Sequence, residues 1–380
     1  MKLGRSPRPA FFFYQAMSRT KNYLDLVSGK TSGPLAAIAR AFLAGLACGY
    51  ALGMTLRNFA YDFGLKTIVK SPVPVVSIGN ITTGGTGKTP MVEYVCRYFR
   101  QKGLRVAILS RGYGSGSGEM AGMNDEGLLL YQNLPDVPHL QDSDRAGLAR
   151  IAVEELESHV LVLDDAHQHR RLARNLNIVL IDATNPFGFG WLLPRGLLRE
   201  PSSQSLSRAD AILITRCNFV STGALESIEN RVREKIRPGT PVARSIHQPV
   251  ELLLATGEVQ SLEKLKGKKA AVFCGLGNPS AFLATVEALG VQVIAEKIFT
   301  DHHQYSDSDI AELSEWVGAT GAELALTSQK DLVKLVCVHL GGRPLGAIRI
   351  GLEITHGQAE INHLLDQMAD QVETAPITGF

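Results

Sequence analysis

A chain of 380 residues with 45% hydrophobic and 20% charged positions has an ordinary globular composition and is long enough for about two to three domains. Formal net charge is only +2, so global charge gives no argument for a nucleic-acid partner. Five scattered cysteines with no C-x-x-C spacing argue against a disulfide framework and a zinc site, and fit a reducing compartment.

In chain order, the first feature is a local charge asymmetry. Residues 1–70 hold ten Lys and Arg against Asp25 and Asp62 alone. Phe11-Phe12-Phe13-Tyr14 is too short for the apolar core of a secretory signal and is followed by Arg19 and Lys21. Between Arg40 and Arg57 lies the uncharged stretch Ala41 to Leu56, shorter than the ~20 residues that span a bilayer. Its flanking arginines favour a helix lying in a membrane interface, with a buried helix as the plainer alternative.

Val73 to Ile78 reads as a strand, and Gly84-Gly85-Thr86-Gly87-Lys88-Thr89 follows it and opens a helix at Val92. Glycines let backbone N–H groups turn inward, Lys88 sets a point charge against the β- and γ-phosphates, and Thr89 offers a hydroxyl to Mg²⁺. A nucleoside triphosphate is the ligand that this predicts. Thr82 stands where the strict Walker A pattern has glycine, so the loop is a deviant form. Pro90 to Lys102, Arg105 to Ser110, Ser143 to Glu157, Val160 to Leu163, Ile178 to Asp182 and Ala211 to Thr215 continue a β-α rhythm, which predicts a parallel sheet covered by helices. Gly112 to Gly122 interrupts it as a glycine- and serine-rich loop expected to move.

Val160 to Leu163 delivers Asp164-Asp165, the pair expected to hold Mg²⁺, with the choice between them open. Glu200, in an irregular Gly/Pro-punctuated segment, is a candidate for one more metal oxygen. A second, smaller α/β rhythm follows Pro249: Ala270 to Cys274, Ser280 to Leu289, Gln292 to Phe299, Asp307 to Gly318, Glu323 to Thr327 and Ala347 to Leu352. His302-His303 and Lys330-Asp331 each follow one of its strands. The predicted division is an N-terminal arm and helix over 1–70, a P-loop NTPase-like domain over 71–248, a smaller α/β domain over 249–369 and a disordered tail over 370–380.

Taken together, Ser77-Ile78-Gly79-Asn80 with the glycine loop, Ser110-Arg111-Gly112-Tyr113-Gly114, Asp164-Asp165 with Gln168-His169-Arg170-Arg171, Leu197-Leu198-Arg199-Glu200-Pro201 and Asp301-His302 resemble the tetraacyldisaccharide 4'-kinase family over about residues 70–335. The resemblance implies transfer of the ATP γ-phosphoryl group to the 4'-hydroxyl of a tetraacylated glucosamine disaccharide 1-phosphate, in lipid A biosynthesis. It implies peripheral or monotopic placement at the cytoplasmic face of the inner membrane, with the smaller domain enclosing the cleft. It also implies that Asp125, in Asn124-Asp125-Glu126-Gly127, is the catalytic base and that His302 pairs with it. Asn124 and Gly127 stand where the family usually has glycine and proline, and Ala166-His167 stand for Gly-Phe. ATP, Mg²⁺, an acylated disaccharide and a membrane surface are the expected partners; no obligate protein partner is evident. Two alternatives are a membrane-associated deviant-Walker ATPase, against which Thr83 counts because it replaces that group's signature lysine, and a catalytically silent nucleotide-binding relative.

Overall fold

The computed structural model describes residues 22–112, 125–301 and 303–374. The chain divides into two compact units, Ala37–Gln248 with Leu352–Phe380, and Met1–Ala36 with Pro249–Gly351.

Helix α1 covers Pro34–Asp62, 29 residues. Proline at its first position is preorganised for helix, and Gly64, at φ 71, ends it as its N–H bonds the Tyr61 carbonyl. Neither Arg40 nor Arg57 interrupts it. The expected apolar stretch of sixteen residues is therefore only the middle of a helix long and apolar enough, by length and composition, to cross a membrane. Leu35, Ile38, Phe42, Leu46, Leu52, Leu56, Phe59 and Phe63 recur at helical spacing and are all exposed, Phe42 at 67%. The other edge of the carboxyl half is polar and docked: Tyr50 donates to the Arg199 carbonyl (2.8 Å), Arg57 to the Gln168 carbonyl (2.6 Å) and Asn58 to Glu200 (3.0 Å).

The first unit then builds a parallel sheet. Its strands are β1 (Val75–Asn80), β2 (Val106–Ser110), β3 (His139–Gln141), β4 (Val160–Asp164), β5 (Leu176–Asp182), β6 (Ala211–Thr215) and the start of β7 (Val242–Leu254). They lie in the order β3-β2-β4-β1-β5-β6-β7. β1, β4, β5 and β6 are buried at every position, as unbroken Val/Ile/Leu runs require when helices cover both faces. The covering helices include α2 (Lys88–Gln101), α3 (Asp125–Asn133), α4 (Arg145–Glu154), the short α5 (Ser202–Leu206) and α6 (Thr222–Arg233). α2 presents Met91, Val92, Val95, Cys96 and Phe99 to the core, a spacing of three and four.

In the smaller unit the strands lie in the order β10-β9-β11-β13 with the end of β7, from β9 (Lys269–Cys274), β10 (Gln292–Ile298), β11 (Leu324–Ser328) and β13 (Arg343–His356), with the short β8 (Val259–Gln260) on β7 and β12 (His339–Leu340) on β13. β10, β9, β11 and β13 run parallel. Helices α7 (Pro279–Ala288) and α8 (Asp307–Ala319) pack here, α8 starting with a capping box between Ser306 and Asp309.

The last described helix, α9 (Gln358–Thr374), departs from the expected division. It belongs to the first unit, where Ile361, Leu365, Met368 and Ala369 join the core under α2. Tyr94 donates to Asn362 (2.6 Å), and Tyr98 to Asp366 (2.7 Å), which also pairs with Lys102. Residues 370–374, expected as disordered tail, are helical; the rest of that tail, residues 1–21 of the basic arm and most of the loop Gly112 to Gly122 lie outside the described residues.

Candidate active site

The turn between β1 and α2 is held from below. Asn80, buried at the end of β1, donates from Nδ2 to Thr86 Oγ1 (2.9 Å) and the Gly84 carbonyl (3.5 Å). Thr215, at the end of β6, donates to the Thr86 carbonyl (2.9 Å). Gly87 sits at φ 86, and a Cβ there would meet the His247 ring at 2.4 Å, so glycine is required both by conformation and by space. α2 starts at Lys88 with no side-chain cap on its first N–H groups, and Gly84 and Gly85 are exposed beside it. That leaves helix N–H groups and a lysine for an anion.

β4 runs beside β1 with Asp164 opposite Ile78, which brings the paired acids to the loop. Asp165 is a non-glycine residue at φ 48; the chain turns sharply there, and the two carboxylates acquire different surroundings. Asp165 lies 3.6 Å from Lys88 Nζ and accepts from Arg199 at 2.8 Å. Burial alone would raise its pKa, but Lys88 and Arg199 outweigh that and hold it below the ordinary carboxylate range. Asp164 is pushed up to about 7 by burial and then by the negative charge of Glu126, with Lys88 pulling back. Its Oδ1 is buried with no hydrogen-bond partner among the described residues.

An orphaned carboxylate oxygen costs free energy unless a cation or donor meets it. Thr89, half-buried at the start of α2, and Asp164-Asp165 at the end of β4 therefore form a hard-oxygen set of the kind that Mg²⁺ takes. The residues fit the ion.

Glu200 occupies a different environment. It is fully buried; Oε1 accepts from Arg208 (2.6 Å), Ser205 (3.1 Å) and Gln168 (3.4 Å), and Oε2 from Asn58 (3.0 Å). Expected as a metal oxygen, it is instead engaged in fastening α1 to the segment after β5. His167, also fully buried, donates or accepts at Ser205 (2.7 Å) and approaches β1 at Gly79, where a Cβ would lie 2.6 Å from it.

Asp125 heads α3, but its side chain is outside the described residues, as is the whole of His302. His303 is engaged within the smaller unit: it packs on Phe299 and Tyr305 and pairs with Asp309 at 3.3 Å. Lys330 and Asp331 lie in the short helix Gln329–Leu332 after β11, which Ser328 caps. There Asp331, fully buried, accepts from Ser328 (2.6 Å) and the Gly275 N–H (3.0 Å), so it acts as a brace.

A cavity of about 570 Å³ opens beside the loop. Tyr50, Met54 and Arg57 of α1 form one wall, and Arg111, Arg145, Arg199, Asp165, Gln168 and His169 form most of the rest. Four guanidiniums face one carboxylate, so the basin favours anions, while Tyr50, Met54 and Leu193 give it an apolar edge. Arg145 is buried and reaches the Asp164 carbonyl (3.1 Å), stiffening the turn that carries the acids. No sequence motif marks Arg145, Arg57 or Tyr50 as lining residues, since isolated arginines on helices ordinarily face water. His247 was equally silent; burial, then the Arg216 charge, lowers its pKa to about 4, so it meets Gly87 as the neutral imidazole.

Residues 39–370 match the family model described as tetraacyldisaccharide-1-P 4'-kinase. The chain is 37% identical over 343 residues to the tetraacyldisaccharide 4'-kinase of Syntrophus aciditrophicus, covering 84% of this chain and 91% of that one. It is 39% identical over 341 residues to that of Anaeromyxobacter dehalogenans, covering 86% and 89%. A crystal structure of LpxK from Aquifex aeolicus in complex with ATP superposes with a TM-score of 0.71 at 30% identity, covering 87% of this chain and 99% of that one.

Proposed function

Because the chain belongs to the tetraacyldisaccharide-1-P 4'-kinase family, we infer that it is an ATP-dependent kinase that phosphorylates the 4'-hydroxyl of tetraacyldisaccharide 1-phosphate in lipid A biosynthesis. The observation that carries this reading beyond a generic nucleotide-binding fold is the arginine-rich cavity, lined by Thr83 just before the phosphate-binding loop and by Tyr50, Met54 and Arg57 of α1. An acceptor that is both anionic and acylated suits both walls.

Phosphoryl transfer asks for positioning and charge neutralisation more than for covalent chemistry. The N–H groups of Gly84, Gly85, Thr86 and Gly87 cradle the ATP phosphates, and Lys88 sets its charge on the transferring group. Thr89, Asp164 and Asp165 would hold Mg²⁺, which when bound screens the β- and γ-phosphate oxygens. Arg57, Arg111 and Arg199 bind the anionic head of the acceptor. Asp125 takes the proton of the attacking 4'-hydroxyl, and His302 supports it; the family resemblance supports both roles. α1 seats the enzyme on the cytoplasmic face of the inner membrane, its exposed apolar stripe in the acyl region.

The test is transfer of label from [γ-³²P]ATP to the purified disaccharide lipid in detergent micelles. Labelled lipid is the expected product. A chain that binds ATP and never labels the lipid would be the silent relative or the ATPase instead.

A further inference from the structure

A second cavity, of about 240 Å³, lies at the carboxyl end of α1 and shares no lining residue with the first. Its walls carry three guanidiniums, Arg170, Arg174 and Arg208, with Ala173 and Asn177, and Ile68 at the mouth. Arg170 is answered by Asp62 (2.5 Å) and Arg208 by Glu200 (2.6 Å). Arg174 has no carboxylate partner among the described residues: its bonds go to the main-chain oxygens of Ala166, His167 and His169. Three part-buried cations thus meet two anions. The crowding registers on Arg174, whose pKa falls to about 10 through burial and then the charges of Arg208 and Arg170. An anion entering the cavity would relieve it.

The rim says which kind of anion. Ile68 is 42% exposed and is fixed there because Val69 exchanges main-chain bonds with Arg171 and Ala173. Phe63 and Leu65 are exposed on the same short segment, among Lys66 and Lys70. Cations inside, lysines around and apolar side chains at the mouth match a phosphate that arrives attached to acyl chains. The exposed Leu56 and Phe59 of α1, with Phe63 just beyond it, would lie along those chains. We propose that this cavity is a lipid site separate from the acceptor basin, and that it takes the headgroup phosphate of an anionic phospholipid. The proposal rests on the reading of α1 as the membrane-facing helix.

Native mass spectrometry of the full chain released from detergent micelles tests it, with phosphatidylglycerol, phosphatidylcholine or inorganic phosphate added separately. Ile68→Glu puts a negative charge at the exposed mouth, and Ala173→Leu fills the cavity while keeping all three arginines. The expected result is one retained phosphatidylglycerol per chain, little phosphatidylcholine, and retention about tenfold weaker in each variant. Equal retention by wild type and both variants overturns the proposal, as does equal retention of the two lipids. Adducts of inorganic phosphate without phosphatidylglycerol would make the cavity a free-phosphate site and overturn the lipid assignment. Failure of lipid labelling in the kinase assay is a separate outcome that leaves the adduct count as it is.

Discussion

The loop after β1 and helix α1 are held in opposite ways. The loop is held from below while Gly84 and Gly85 stay open: Asn80 and Thr215 fix Thr86, His247 lies against Gly87, and the strand before the loop has no exposed residue. α1 is fastened along one polar edge by Tyr50, Arg57 and Asn58 and leaves an apolar stripe in solvent. One region is preorganised for phosphate chemistry, where small displacements cost large factors in rate. The other is a surface whose free energy is released only against a second phase. Substitutions in the first should change turnover, and substitutions in the second should change where the protein resides.

The largest effect is expected at Lys88. Lys88→Met removes the cation proposed to meet the γ-phosphate and leaves Asp165 with Arg199, so kcat should fall by about 10³-fold in the labelled-lipid assay, with the fold unchanged by circular dichroism. Asp164→Asn should cost about 10²-fold and raise the Mg²⁺ concentration needed for half-maximal rate, since a neutral amide offers one weaker oxygen. An unaltered Mg²⁺ requirement would remove Asp164 from the metal set.

Ile38→Asp with Phe42→Asp breaks the outward stripe at two exposed positions. Flotation with vesicles should show affinity reduced by about 10²-fold, the low end of roughly 1.5–3 kcal/mol of burial lost per side chain. ATP affinity should stay at the wild-type value, because neither residue touches the loop or its supports. Loss of both properties together would dissolve the contrast between the two regions.

The smallest effect concerns acid stability. His247 has a folded pKa near 4 against 6.5 when unfolded, so between those values the unfolded chain binds more protons. Stability from this group is therefore full above about pH 6.5 and lost as pH falls toward 4, by about 1–3 kcal/mol in all. His247→Gln should flatten that limb of the stability curve measured by urea denaturation. An unchanged limb would place the acid sensitivity on His139, His167 or His169, whose pKa values burial lowers to about 4 in the same direction.

The features legible in the sequence are those whose parts are near one another along it. The loop, the Asp164-Asp165 strand end and the alternating strands and helices each occupy a short window, and the structure holds them at or within a few residues of the expected places. α9 was illegible because its seat depends on Tyr94 and Tyr98, 268 positions away from Asn362 and Asp366. The length of α1 was hidden by Arg40 and Arg57, read as ends although arginine is a good helix former. Glu200 was legible as an acid but not as a braced one, because Arg208, Ser205 and Asn58 come from two separate segments. The arginine basin is likewise assembled from α1, the ends of β2 and β4 and the segment after β5, with no local motif to announce it.

A kinase site and a site that only binds nucleotide differ in what loss of the proposed base does. Single-turnover labelling with Asp125→Asn, alongside a separate measurement of ATP affinity, addresses that difference most directly. Transfer to the disaccharide lipid should fall by about 10²–10⁴-fold while the Kd for ATP stays within about threefold of wild type. Transfer at the wild-type rate, or loss of transfer matched by an equal loss of ATP affinity, would contradict Asp125 as the base of a kinase site.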